Sequence, residues 1–109
     1  MDRRTFVRGA LGGALIPLSP GPIAAQGELR EVSIRNFVYE PETLAVKPGD
    51  QIRFTNHDLA PHTATADDGS WDTGTLEKGQ SVELTVTEEW TGDYFCAHHP
   101  AMTAKLIIG

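Results

Sequence analysis

The chain has 109 residues, enough for one domain and no more. Nine Lys and Arg against fifteen Asp and Glu make it acidic, which argues against nucleic acid and anionic membrane surfaces as partners. A single cysteine excludes an intrachain disulfide.

Residues 1–25 read as an export signal. Arg3 and Arg4 stand just ahead of Phe6, and a short, Gly-rich, weakly apolar run follows from Gly9 to Leu18, a twin-arginine pattern. The run is shorter than the ~20 residues a bilayer span requires, and Pro17, Pro20 and Pro22 interrupt it. Stable membrane insertion after processing is therefore not expected, and an uncleaved anchor is the competing reading. Ile23-Ala24-Ala25 ends in small residues suited to signal peptidase, which predicts Gln26 as the new N-terminus. The expected compartment is the periplasm. Residues 26–109 then form the working domain, 84 residues carrying six basic and fourteen acidic side chains. That length is just above the ~70 to 80 residues below which a core usually needs reinforcement. A monomer is expected.

In the stretch from Leu29 to Val38 the residues Glu31-Val32-Ser33-Ile34-Arg35 alternate polar and apolar with period two, as a half-buried strand does. Pro41 interrupts, Thr43 to Val46 reads as a short second strand, and Lys47-Pro48-Gly49-Asp50 is a turn. Gln51 to Asn56 alternates again. His57 to His62 has loop composition and leads into Thr63 to Ala66; Asp67 to Ser70 and Glu77 to Gln80 are turn-like. Ser81 to Val86 is the clearest alternating strand, with Val82, Leu84 and Val86 on one side. Thr91-Gly92 turns the chain, Asp93 to Phe95 runs toward Cys96, and Thr103 to Ile108 closes as a last strand. Seven or eight short strands without a helical period predict an all-β fold, an antiparallel sandwich.

The chemistry concentrates in Cys96-Ala97-His98-His99-Pro100-Ala101-Met102. On a helix, Cys96 and Met102 would lie roughly 9 Å apart along the axis, too far to share a metal, and Pro100 pushes His99 out of helical dihedrals. The segment is therefore expected to be a tight loop that turns a thiolate, an imidazole and a thioether toward one centre. A lone exposed thiol is a liability in an oxidising compartment, whereas a metal-bound cysteine is protected. A buried inert cysteine would explain the thiol but not its neighbours. A second imidazole must come from elsewhere, and His62, after Pro61 at a strand-to-loop crossing, is the best candidate. Two histidines and a cysteine with a distant methionine match a blue-copper electron-transfer site.

On these residues the chain resembles the cupredoxin (type 1 blue copper) family, within it the amicyanin, pseudoazurin and plastocyanin-like proteins. The resemblance runs from Ile34 to Ile108. It rests on Asn36-Phe37 before Pro41, Val46 through Gly49-Asp50, Asn56 six residues before His62, Asp72-Thr73-Gly74, and Tyr94 ahead of the Cys-x-x-His-Pro-x-Met loop. It implies a Greek-key sandwich of seven to eight strands holding one copper ion. His62, Cys96 and His99 would be the equatorial ligands and Met102 the weak axial one. It further implies that the Thr63 amide donates toward the Cys96 sulfur, that Asn56 tethers the two ligand loops, and that His99 is the solvent-side electron port, ringed by Pro61, Pro100 and Ala101. The implied partners are a redox protein donor and acceptor docking transiently near His99, and no enzymatic reaction is implied. The chain departs from the family pattern in having Trp90 and Gly92 where Gly and then Tyr are usual, and Ala104 where Gly is usual.

Other readings compete. Thiolate, imidazole and thioether suit Cu(I) equally well, so a copper storage or delivery protein has the same ligands. Cys96 with His99 as nucleophile and base lacks an accompanying oxyanion-hole signature. A copper oxidase or reductase would need a second copper or an open position. His57 and His98 are read as solvent-facing bystanders, Trp71 and Trp90 as packing residues, and Asp67, Asp68, Asp72, Glu88 and Glu89 as scattered surface charge.

Overall fold

The computed structural model describes residues 27–109. The expected export signal, residues 1–25, and the expected new N-terminus, Gln26, lie outside the described residues.

Eight strands follow one another: β1 (Leu29–Arg35), β2 (Val38–Glu40), β3 (Thr43–Val46), β4 (Gln51–Asn56), β5 (Thr65–Ala66), β6 (Ser81–Thr85), β7 (Asp93–Cys96) and β8 (His99–Ile108). They form two four-stranded sheets, in the order β2-β1-β4-β6 and β3-β8-β7-β5. No helix forms among the described residues. The period-two pattern decides which side chains go inside. Val32 and Ile34 on β1, Ile52 and Phe54 on β4, Tyr94 and Cys96 on β7, and Met102 and Leu106 on β8 are all buried in one apolar cluster. Full burial of an Ile or Phe side chain contributes about 1.5 to 3 kcal/mol, so the facing sheet surfaces supply the driving force for the sandwich.

The pairing corrects the expectation of a purely antiparallel sandwich. β1 runs parallel to β4, with Ile34 opposite Asn56, and β3 runs parallel to β8, with Val46 opposite Ile108. Parallel neighbours need a crossover. The chain provides one by leaving the first sheet after β2, adding β3 to the edge of the second, and returning as β4.

Two further boundaries differ from the sequence pattern. The stretch from Leu29 to Val38 is not one strand. It breaks at Asn36 and Phe37, whose φ angles of 57° and 61° make a two-residue hairpin between Arg35 and Val38. The segment from Cys96 to Met102 is not a continuous loop either. Only Ala97 and His98 separate β7 from β8, and Met102 lies within β8.

The family departures also find their places. Trp90 stacks on Trp71 with ring centroids 4.4 Å apart and planes 13° from parallel, and Trp71 faces Phe54 beyond it. The Trp71 Nε1–H donates to the Thr91 carbonyl across 2.9 Å. Gly92 sits where an added Cβ would come within 2.1 Å of the Leu106 carbonyl oxygen. A bulky residue at 90 and none at 92 thus fit a turn pressed against β8. Ala104 pairs with Tyr94.

Candidate metal centre

His62 is fixed by its own backbone. Its N–H donates to the Leu76 carbonyl and its carbonyl accepts from the Leu76 N–H, at 3.1 and 2.8 Å. The side chain is wholly buried, with Nδ1 3.7 Å from the Sγ of Cys96, itself wholly buried at the end of β7. The Thr63 N–H donates to the same sulfur across 3.3 Å. The His99 ring lies beside that of His62, centroids 5.1 Å apart, and is only half-buried.

The pairing of β7 with β8 is irregular just before Met102. Cys96 pairs with His99, but Phe95 pairs with Thr103, so β8 takes up extra residues opposite the Phe95–Cys96 step. Residues three apart on a regular strand point to opposite faces. His99 accordingly stays half-exposed beside His62 while Met102 is buried in the same cluster as Cys96. His62, Cys96 and His99 are thus brought together, and Met102 is buried in the core cluster that holds Cys96. Among the described residues no three His, Cys, Asp or Glu side chains converge at ligand distance.

The tether between the two ligand segments is Thr63. Besides its amide contact to Sγ, its Oγ1 accepts the Ala97 N–H across 2.8 Å. Asn56 does something else. Its Nδ2 donates to the Ala60 and Leu76 carbonyls, and its Oδ1 accepts the Asp58 N–H. It ties the loop before His62 to the segment around Leu76 and, among the described residues, makes no bond to the Cys96 loop.

Two residues at the site were given no role by the sequence, Phe37 entering only through the Asn36-Phe37 match to the family. Phe37, 48% exposed, sets its ring edge-on against both imidazoles, 4.9 Å from each. Asp58 accepts from the Asn36 and Phe37 amides and lies 2.9 Å from His62 Nε2. Burial works against its charge, but the Phe37 and Asn36 amides and the His62 ring outweigh that, and the carboxyl is held below the usual carboxylate range. Asp58 stands four residues before His62, a spacing that could have drawn notice. Phe37 had no local cue beyond its neighbour Asn36, a residue tolerant of left-handed backbone.

The remaining histidines stay peripheral. His98 Nε2 meets Thr75 Oγ1 at 2.9 Å, its ring 6.5 Å from that of His99, and His57 is exposed. Above the core, the Tyr39 hydroxyl donates to the Thr63 carbonyl. Burial raises the Tyr39 and Tyr94 hydroxyls well above ordinary phenols, so both remain neutral.

Comparison with known proteins agrees with this arrangement. The model of the Cupredoxin-like domain family matches residues 9–108. Amicyanin of Paracoccus denitrificans is 33% identical over 109 aligned residues, covering 92% of this chain and 82% of that protein. Amicyanin of Paracoccus versutus is 27% identical over 82 residues, covering 71% and 62%. Among solved structures, an oxidized amicyanin mutant superposes with a TM-score of 0.66 at 30% identity, over 73% of this chain and 81% of that one. A reduced Cu(I) form of another amicyanin mutant at pH 4 gives 0.65 at 30% identity, over 74% and 82%. With this sandwich and its family model spanning nearly the whole chain, the protein belongs to the cupredoxin-like family.

Proposed function

We propose that this chain is a small type 1 copper electron carrier and not an enzyme, with His62, Cys96 and His99 as equatorial ligands and Met102 as the weak axial one. The observation that carries the reading is the contact of His62 Nδ1 with the Cys96 sulfur at 3.7 Å, beside the His99 ring and at the buried end of the sandwich. Thiolate, two imidazoles and a thioether fit copper in both oxidation states. When bound, the ion supplies a one-electron Cu(II)/Cu(I) couple.

The chain's own residues do the rest. The Leu76 backbone holds the His62 main chain, and the Thr63 amide and hydroxyl hold the sulfur and the Ala97 turn. A donor set fixed in this way moves little between oxidation states, which keeps the reorganisation accompanying each electron small. Full burial of His62 and Cys96 excludes water, while half-buried His99 opens to the surface next to exposed Phe37, Pro100 and Ala101. That surface is the proposed docking place for a redox protein donor and acceptor, since small apolar patches suit brief encounters. The twin-arginine pattern of residues 1–25 supports export and periplasmic work for the domain of residues 26–109.

The experiment is the visible spectrum and voltammogram of the copper-loaded protein. An intense blue band with reversible one-electron cycling is expected. A colourless Cu(II) form, or copper lost to a weak chelator, would favour storage or delivery of the ion.

A further inference from the structure

We propose that Asp58 is the positioning residue of the metal centre, its carboxylate orienting the His62 ring and, through the Asn36–Phe37 hairpin, seating the Phe37 ring against both His62 and His99. This rests on the copper reading above and adds residues that the ligand set does not contain.

The geometry is specific. Asp58 Oδ1 accepts the Asn36 N–H across 2.7 Å, and Oδ2 accepts the Phe37 N–H across 2.9 Å. Oδ2 also lies 2.9 Å from His62 Nε2. An ionised carboxylate can only accept, so the imidazole must carry its proton on Nε2. Nδ1 is then left with its lone pair, and it is Nδ1 that faces the Cys96 sulfur. A carboxylate behind a histidine in this way fixes both tautomer and ring direction.

The same carboxylate holds an otherwise unfavourable turn. A phenylalanine with φ of 61° is strained, and the second place of such a hairpin is normally taken by glycine. Two amide bonds to Asp58 compensate. The consequence is a half-exposed ring that contacts both imidazoles edge-on, at 86° to His62 and 78° to His99. Edge-on packing against both rings restricts how each can turn, a restraint that a small side chain at 37 would remove.

The test uses the full-length protein and Asp58→Asn, Asp58→Glu and Phe37→Gly. Nitrogen-15 NMR of the metal-free wild type should show His62 protonated on Nε2. In Asp58→Asn that preference should be lost and contacts from the Phe37 ring to His99 should weaken. Cu(I) affinity by chelator competition should fall about 10- to 100-fold, with partial recovery in Asp58→Glu. Phe37→Gly should keep the tautomer yet release Cu(I) faster. A wild-type His62 protonated on Nδ1 overturns the proposal without any variant. So does a folded Asp58→Asn with an unchanged tautomer and Cu(I) affinity within twofold of wild type. Absence of a blue band from copper-loaded wild type would instead overturn the electron-carrier reading, so the two failures are told apart.

Discussion

Thr63 joins the two ligand segments of this protein to each other, its amide donating to the Cys96 sulfur across 3.3 Å and its hydroxyl accepting the Ala97 N–H across 2.8 Å. Thr63 itself is buried, so no solvent replaces a lost partner. Thr63→Ala removes the hydroxyl and keeps the amide. Unfolding in denaturant should show a loss of about 1 to 2 kcal/mol, most of which Thr63→Ser restores. Equal losses in both variants would mean that the methyl group, not the hydroxyl, matters.

On the proposed copper reading, Cys96→Ser should abolish the blue band, since the thiolate would supply the strong sulfur-to-copper transition. Met102→Gln should then retain copper and shift the reduction potential, because only the proposed weak axial contact changes. An unchanged spectrum in Cys96→Ser would make the ligand assignment wrong.

The two buried tyrosines should respond differently to loss of their hydroxyls. The Tyr39 hydroxyl donates to the Thr63 carbonyl, whereas that of Tyr94 has no hydrogen-bond partner among the described residues. Tyr39→Phe is expected to cost about 1 to 2 kcal/mol and leave a carbonyl unpaired next to the site. Tyr94→Phe should be neutral or slightly stabilising, since it keeps the ring packed on Tyr39 and Trp71. Thermal melts of both variants decide it; a larger loss for Tyr94→Phe would contradict the assignment.

Trp90→Ala removes half of the stack on Trp71, and because Trp90 is only partly buried the expected loss is about 1 to 3 kcal/mol. Gly92→Ala should be at least as damaging, as its methyl would press on the Leu106 carbonyl. A Gly92→Ala protein as stable as wild type would show that the turn can move away from β8.

Acid should weaken the fold through Asp50. Its carboxylate, almost wholly buried, accepts the Glu28 N–H at 2.9 Å and the Lys47 N–H at 3.0 Å. The Glu28 bond is the largest cause of a pKa lowered below the usual value, opposed by burial and helped by Lys47 and Arg30. The folded state therefore holds its proton less tightly than an unfolded aspartate of pKa about 3.9. The stabilisation is complete above about pH 5 and declines as pH falls below 4 toward the folded value. Stability measured against pH should decline less steeply in this limb for Asp50→Asn, which at pH 7 should lie about 1 to 3 kcal/mol below wild type. Parallel curves would assign the acid limb to other carboxylates.

The strands were legible because alternation is a local property: each residue of Gln51–Asn56 or Ser81–Thr85 reports its face through its immediate neighbours. The donor types around Cys96 were equally plain, since thiolate, imidazole and thioether carry their chemistry in the side chain. The hairpin at Asn36–Phe37 was not, because the left-handed turn there is stabilised from residue 58. Nor was the register shift at Phe95–Cys96, which depends on how β7 and β8 pair.

What the amino-acid sequence determines by itself is a strand-rich acidic chain with copper-suited donors at 62, 96, 99 and 102. Only the tertiary structure decided the parallel β1–β4 and β3–β8 pairs, the tether at Thr63, and the placing of Asp58 and Phe37 around His62. Apart from the Asp58–His62 contact, those features depend on hydrogen bonds and ring contacts between residues 20 or more apart. Such contacts follow from how the two sheets pack, which no short stretch of sequence records.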